Sequence, residues 1–141
     1  MSIDKNKVIY VSEIMLSLDQ FPVVSSEVYL KEALEKMNKI QLGIACIIDA
    51  DNKLIGVLTD GDIRRKLLNV QKPFSAFFID DVITHSAKSP VTVLSNDTLE
   101  FADEVMGKKQ IWDLPVVNND GKLEGLLHLH PVVKTLLNIQ S

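Results

Sequence analysis

Two stretches of the chain carry apolar residues at intervals of three and four, the spacing of one helix face. These residues are Leu30, Ala33, Leu34 and Met37 in the first stretch, and Leu99, Ala102 and Met106 in the second. The pattern predicts two amphipathic helices. Asn96 or Asp97 is available to cap the second helix at its N-terminus.

Each predicted helix is followed by a pair of apolar runs around a polar turn. The runs are Ile44–Ile48 and Leu54–Leu58 in the first case, and Leu114–Val117 and Leu123–Leu127 in the second. Apolar runs joined by Asn, Asp and Gly are typical of β-hairpins. A short extended segment after Pro22 or Pro90 precedes each helix. A last helix closes each unit with the apolar residues Ile63, Leu67 and Leu68, or Val132, Val133, Leu136 and Leu137.

The chain therefore repeats itself. Ala33, Met37 and Gly56 recur as Ala102, Met106 and Gly125 at one constant spacing. The repeats span residues 11–70 and 81–138, and a connector over residues 71–80 joins them. Each β-α-β-β-α unit is too small to bury a core alone, so we expect two units to share one interior about a pseudo-twofold axis, in a mixed α/β fold.

The connector and its surroundings contain three aromatic rings, Phe74, Phe77 and Phe78. The simpler interpretation is that these rings pack the connector onto the domain. A partner-binding surface is the alternative.

Composition narrows the class of protein. Hydrophobic residues make up 46% of the chain and charged residues 24%, as in ordinary globular proteins. The net charge of −4 argues against a general nucleic-acid surface. A single cysteine, Cys46, excludes a disulfide framework and fits a reducing compartment. With no secretion signal and no apolar run long enough to cross a membrane, we expect a cytoplasmic protein that contacts no membrane.

The candidate chemistry lies where the strand Leu54–Leu58 ends in Thr59-Asp60-Gly61-Asp62 and two arginines. Free N–H groups and the dipole at the start of a helix favour an anion such as phosphate, to which Thr59 can donate. Gly61 permits close approach to the backbone, and Asp62 can accept two hydrogen bonds from vicinal ribose hydroxyls. Arg64 or Arg65 can pair with phosphate. The alternative is that Thr59 and the carboxylates only cap the helix.

The second repeat has His128 in place of Thr59 and Pro131 in place of Asp62. If the chain stays extended here, His128 and His130 face the same side. They can bind an anion, titrate near neutral pH or simply be satisfied polar residues. Without a third ligand they make a weak metal site, so no metal is predicted. No catalytic constellation is apparent.

This doubled unit resembles a tandem pair of CBS domains, from about Val11 to Asn138. The first copy ends with the sequence Gly-Val-Leu-Thr-Asp-Gly-Asp-Ile. The resemblance implies a cleft that binds adenosine-containing or other nucleotides, with phosphate at Thr59 and ribose at Asp62. It implies that the base lies against the strand after Pro22 and the strand around Ala45. The nucleotide-binding residues are then Thr59, Asp60, Gly61, Asp62, Arg65, Val23 and Ala45, and a second cleft would hold Thr92, His128 and His130.

A narrower resemblance is to the CBS pair of D-arabinose-5-phosphate isomerases of Kdo synthesis, and a similar element accompanies some sugar-phosphate nucleotidyltransferases. Those isomerases typically have the sequence His-x-His-Asp at this place, whereas this chain has Pro131 at the position of the aspartate. The carboxylate that would bind ribose in the second cleft is therefore missing. The resemblance covers only the regulatory part of such an enzyme. It implies a module that binds AMP, ATP or a CMP-linked sugar, requires no cofactor and is not an enzyme by itself.

Two other functions stay open. The chain can be an assembly module that dimerises without ligand, or it can be the regulatory pair of a nucleotidyltransferase. In each case we expect a homodimer or homo-oligomer and a covalent or separate catalytic partner domain.

Overall fold

A computed structural model describes residues 7–69 and 71–140. The first repeat contains α1 (Val11–Ile14), β1 (Val23–Ser25), α2 (Leu30–Ile40), β2 (Ile44–Ile48), β3 (Leu54–Thr59) and α3 (Asp60–Asn69). A short helix, α4 (Phe74–Phe78), and a 3-10 turn (Val82–His85) follow. The second repeat continues with β4 (Val93–Leu94), α5 (Leu99–Lys109), β5 (Asp113–Val117), β6 (Leu123–His128) and α6 (Leu129–Gln140).

The strands form two three-stranded sheets of identical topology, β1-β2-β3 and β4-β5-β6. In each sheet the first strand runs parallel to the second, and the second pairs with the third as an antiparallel hairpin. Both hairpins shift register at the matching place, between Ile47 and Ile48 and between Val116 and Val117. The predicted mixed α/β fold with two β-α-β-β-α units is confirmed.

Three strands are one residue longer than their apolar runs predict, and each added residue is polar. Thr59 pairs with Ile44 at the end of β3, and Asp113 pairs with His128 where β5 begins and β6 ends. Backbone pairing continues past the last buried apolar side chain, because the ladder needs no apolar side chain of its own. The strands thus deliver Thr59, Asp113 and His128 to one edge of the fold.

One predicted cap is wrong. Thr98 caps α5, accepting a hydrogen bond at 3.1 Å from the Phe101 N–H. Asp97 accepts instead from the Leu94 N–H at 2.8 Å. The helix begins one or two residues later than a cap at Asp97 or Asn96 required, and Asp97 closes the turn before it.

The two segments that lead into the repeats are exchanged: each one bonds to the sheet of the other repeat. Leu16 and Leu126 trade backbone hydrogen bonds of 2.8 and 3.1 Å, which joins the segment after α1 to the second sheet. Val57 and Ala87 trade bonds of 3.0 and 2.8 Å, which joins the segment after the 3-10 turn to the first sheet. Each sheet is therefore completed by chain that precedes the other repeat's first strand.

Side chains from both repeats form one shared apolar cluster between the two sheets. Its buried members are Phe21, Ile44, Cys46, Val57, Leu123 and Leu126. Each sheet has one further cluster on its outer side. Val11 is buried in the cluster of the second sheet, and Val82 is buried in the cluster of the first sheet. Since transfer of apolar surface from water stabilises a fold by roughly 25 cal/mol per Å², the shared cluster favours the paired state over either half alone.

The closing helices and the connector are less buried than their patterns suggest. Val132 is fully buried, but Leu68, Val133 and Leu137 are exposed. In the connector region Phe77 packs into the first sheet's core, whereas Phe74 and Phe78 stay exposed. One ring of three therefore anchors the connector.

The exchanged segments give a test of the fold at Gly125. A methyl group added there would lie 2.6 Å from Met15 Sδ and 2.7 Å from the Leu16 carbonyl oxygen. We expect Gly125→Ala to lower the free energy of unfolding by about 1–3 kcal/mol in urea denaturation, because backbone cannot yield there. The matched control is Gly107→Ala in α5, where a methyl group meets nothing within 4 Å. That variant should gain about 0.5–1 kcal/mol, and equal stability of the two variants would contradict the exchange.

The shared cluster gives a second test at Cys46. Burial, helped by the negative charge of Asp113, raises the pKa of its thiol to about 12. We expect a thiol-specific reagent at mildly alkaline pH to label the native protein only as fast as the protein unfolds, because thiolate is the reactive form. Labelling should accelerate steeply with urea, with the fully denatured chain as positive control. Rapid labelling of the native chain would contradict a closed cluster.

Candidate functional site

A cleft of about 800 Å³ opens between the two repeats, at the edge where β3 and β6 end. The first repeat contributes Gly43, Ile44, Val57, Thr59, Asp60, Gly61, Asp62, Arg64 and Arg65. The rest of the wall comes from Ala87, Ser89, Pro90, Val91, Gln110, Ile111, Trp112, Asp113, Pro115 and His128. The cleft therefore contacts both halves at once, and it contains all five of the predicted residues from Thr59 to Arg65.

Thr59 and Asp62 form a reciprocal cap at the start of α3. The Asp62 N–H donates to Thr59 Oγ1 at 3.1 Å, and the Thr59 N–H donates to Asp62 Oδ2 at 3.0 Å. The Thr59 hydroxyl also donates to Oδ2 at 2.9 Å. This is the arrangement of a capping box, which satisfies backbone donors that the helix leaves free. The capping alternative is thus realised, by the same side chains that line the cleft.

The second carboxylate oxygen of Asp62 holds Arg65. Arg65 Nη2 lies 2.8 Å from Asp62 Oδ1, and the Arg65 side chain is mostly exposed. The guanidinium folds back over Gly61, where an added methyl group would lie 3.2 Å from Nη1. Gly61 therefore permits the predicted close approach, although the group that approaches is Arg65 of the same chain.

Asp60 is held against the start of β2. Its N–H donates to the Gly43 carbonyl at 3.0 Å, and a methyl group on Gly43 would lie 2.5 Å from Asp60 Oδ2. The absence of a side chain at Gly43 is what lets this carboxylate sit at the cleft wall.

The second repeat supplies an acid–imidazole pair to the same cleft. His128 Nδ1 lies 2.7 Å from Asp113 Oδ1, across the β5–β6 hairpin. Burial raises the pKa of Asp113, against the opposing effect of the hydrogen bond and charge of His128. His128 was predicted in a second cleft, and the structure instead brings it into the cleft of Thr59.

Sequence reasoning missed Asp113 and Trp112. Trp112 lines the cleft with 71% of its surface exposed, just before β5. Asp113 could have been predicted from the hairpin. It directly precedes Leu114, and His128 directly follows Leu127, so the two residues pair if the hairpin continues by one residue. An exposed tryptophan at a strand end has no comparable periodic signal.

Four predicted site residues are absent from this cleft wall. Ala45 is fully buried in the outer core of the first sheet, and the Val23 carbonyl accepts from Lys36 Nζ at 2.8 Å. Thr92 is half-buried ahead of β4. His130 is exposed in α6, so the expectation of extended chain through both histidines is wrong: α6 begins at Leu129, where the Leu129 N–H bonds to the Trp112 carbonyl.

The segment before β4 reaches the cleft with Ser89, Pro90 and Val91, whereas the segment after Pro22 does not line it. Over residues 7–69 and 71–140, no three His, Cys, Asp or Glu side chains cluster as metal ligands would. Within the same residues no helix combines the length and apolarity needed to cross a membrane.

The fold and cleft are those of a known family. The CBS domain family matches the chain twice, over residues 11–69 and 79–136, and the chain belongs to that family as a tandem pair. It is 33% identical to an inosine-5'-monophosphate dehydrogenase of Aquifex aeolicus over 112 residues, which cover 79% of this chain and 21% of the enzyme. It is 30% identical to the arabinose 5-phosphate isomerase KdsD of Yersinia pestis over 125 residues, or 88% of this chain and 36% of that one. The chain thus spans about a fifth to a third of these relatives.

Among solved structures, CBSX2 of Arabidopsis thaliana in complex with AMP superposes with a TM-score of 0.81. The match is 28% identical and covers 94% of this chain and 99% of that one. The resemblance to CBS pairs, including those of arabinose-5-phosphate isomerases, is therefore confirmed.

Proposed function

We propose that the chain is a regulatory module that binds an adenosine phosphate, AMP or ATP, in the cleft between its repeats. The observation that carries the proposal is that Thr59, Asp62 and Arg65 line one cleft at the start of α3. The AMP complex of CBSX2, which shares the fold at 28% identity, supports this ligand class. A CMP-linked sugar is the alternative ligand.

Ligand binding replaces hydrogen bonds that the protein already makes, and it does not use unpaired donors and acceptors. The phosphate accepts hydrogen bonds from the Thr59 hydroxyl and from Arg65, and the ribose hydroxyls donate to the carboxylate of Asp62. In the structure these groups bond to one another, so a ligand has to replace the Thr59–Asp62 and Asp62–Arg65 contacts. The net gain is therefore smaller than the sum of the new bonds.

The base lies toward the second repeat in this proposal. Trp112 offers an exposed ring on which a base can stack, and Asp113 and His128 offer polar atoms nearby. A ligand that bridges the repeats favours one packing of the halves over another, which is the coupling that regulation requires.

The partner that receives this signal is proposed to be a sugar-phosphate isomerase domain of the Kdo pathway, covalent or separate, in the cytoplasm. The KdsD match supports an isomerase, and a sugar-phosphate nucleotidyltransferase is the alternative. On this proposal the 141-residue chain has no turnover of its own.

The site is tested with the chain's single tryptophan, Trp112, as a fluorescent reporter. We expect AMP or ATP to change its emission saturably. Asp62→Ala should weaken binding about ten- to a hundredfold, because it removes hydrogen bonds to a charged group. Asp103→Ala, on the exposed side of α5, is the matched control and should bind as wild type.

Since Asp62 also caps α3, helix content of the variant is compared by circular dichroism. A folded Asp62→Ala that binds as tightly as wild type contradicts the site. If only a CMP-linked sugar binds saturably, the proposed ligand is wrong and the alternative ligand is correct.

A second function, assembly, is favoured by exposed apolar side chains near the end of α3 and around α4. Leu68, Phe74 and Ile79 are 79%, 67% and 68% exposed. Such a patch is typical of surfaces that are covered by another chain.

We expect the chain to sediment as a dimer, and Leu68→Glu to shift it toward monomer by burying a charge at the interface. Leu18→Glu, a similar change at an exposed leucine before β1, is the control and should leave the dimer intact. A wild-type monomer at all concentrations excludes assembly through this patch.

A further inference from the structure

The two repeats share one topology, but the space between them is filled on one side and hollow on the other. Residues of the two repeats correspond when they hold the same place in the two hairpins or in the two exchanged segments. Three corresponding pairs are Leu16 and Ala87, Ile44 and Asp113, and Cys46 and Pro115. The first member of each pair belongs to the shared cluster or packs against it, and the second member lines the cleft. Ile44 lies at the boundary and also reaches the cleft wall.

Phe21 fills the shared cluster at the place that corresponds to the cleft. Its side chain is only 1% exposed and is buried in one cluster with Ile44 and Cys46. Phe21 stands before the proline that leads into β1, and Ser89 stands before Pro90, the proline that leads into β4. Ser89 and Pro90 both line the cleft. A phenyl ring therefore occupies one side of the molecule where the other side has a hydroxyl group and a hollow.

A backbone hydrogen bond explains why only one side is closed. The Cys46 N–H donates to the Pro22 carbonyl at 2.9 Å, which holds the segment with Phe21 against β2. Pro115 stands at the corresponding place in β5 and has no N–H to donate. Accordingly β1 has three residues and β4 only two, and the extra pair of β1 is Val23 with Cys46. The segment before β4 lacks this bond, which leaves room for the cleft.

We propose that Phe21 closes a second cleft, the counterpart of the first at the start of α6, by filling it with its ring. The sequence at that place agrees with a closed cleft, because Pro131 stands where a carboxylate would be needed to bind ribose. The closure itself depends only on packing. Together with the proposed function, on which this consequence rests, it means that one chain binds one ligand.

Cys46 reports whether the second cleft is open, because Pro115 at the corresponding place lines the open cleft. We expect Phe21→Ala to expose the Cys46 thiol of the folded protein to a thiol-specific reagent. Exposure brings the pKa of the thiol down from about 12 toward its ordinary value. Labelling at mildly alkaline pH without urea should therefore be more than about a hundredfold faster than in wild type, because thiolate is the reactive form.

The matched control is Leu123→Ala, which truncates a side chain of the same cluster beside the hairpin turns. There the Leu123 N–H donates to the Asn52 carbonyl at 3.0 Å. This variant should label only through unfolding, at a rate that rises steeply with urea from the lowest concentrations. Labelling of Phe21→Ala through an open cleft should hardly change at low urea.

Two results would overturn the closure: labelling of Phe21→Ala no faster than wild type, or the same steep dependence on urea in Phe21→Ala and Leu123→Ala. If circular dichroism shows that Phe21→Ala does not fold, Phe21→Leu, which removes less of the side chain, is measured against the same control.

Calorimetric titration of the wild-type chain with AMP tests the consequence for binding. We expect saturation at one molecule of AMP per chain. Saturation at two molecules per chain would contradict a closed second cleft. Absence of binding would contradict the proposed function instead, and the labelling of Cys46 would still decide the closure.

Discussion

The structure depends on the apolar cluster between its two sheets. Neither β-α-β-β-α unit is large enough for a complete core, and the strands around Cys46 and Leu126 leave an apolar side that only the other unit covers. The cleft follows from this pairing, because the two units meet through the shared cluster and leave a hollow where β3 and β6 end. The position of the hollow is fixed by packing, and its polar lining is fixed by the residues that follow the strands.

On the proposed function, one set of atoms in that lining serves both a helix and a ligand. The Thr59 hydroxyl accepts from the Asp62 N–H in the first turn of α3, and the Asp62 carboxylate accepts from the Thr59 N–H just before the helix. Both side chains also line the cleft, and Arg65 is held by the same carboxylate. A protein that caps a helix with its binding residues keeps them in defined positions without a ligand. On the same proposal, ligand binding competes with these internal bonds, which lowers the affinity and couples the ligand to the geometry of α3.

Much of the fold was readable in the sequence, because the hairpins and amphipathic helices are local patterns that occur twice. The strand Ile44–Ile48 was predicted with its observed bounds. The exchanged segments were not predictable, since Leu16 and Leu126 meet through backbone bonds that leave no periodic trace. At the candidate site, Thr59 to Arg65 were predicted from helix-start chemistry. That Trp112, Asp113 and His128 line the same cleft as Thr59 required the two repeats to be placed side by side.

The exchange of leading segments has a consequence for the order of folding during synthesis. The chain around Leu16 emerges early but finds its bonding partner only when Leu126 on the last strand has been made. Domains made from consecutive segments can fold as they emerge, and contacts between distant segments slow folding because long loops must close first. The first sheet, completed by Ala87, can close while translation continues, and the second must wait until Leu126 has been made.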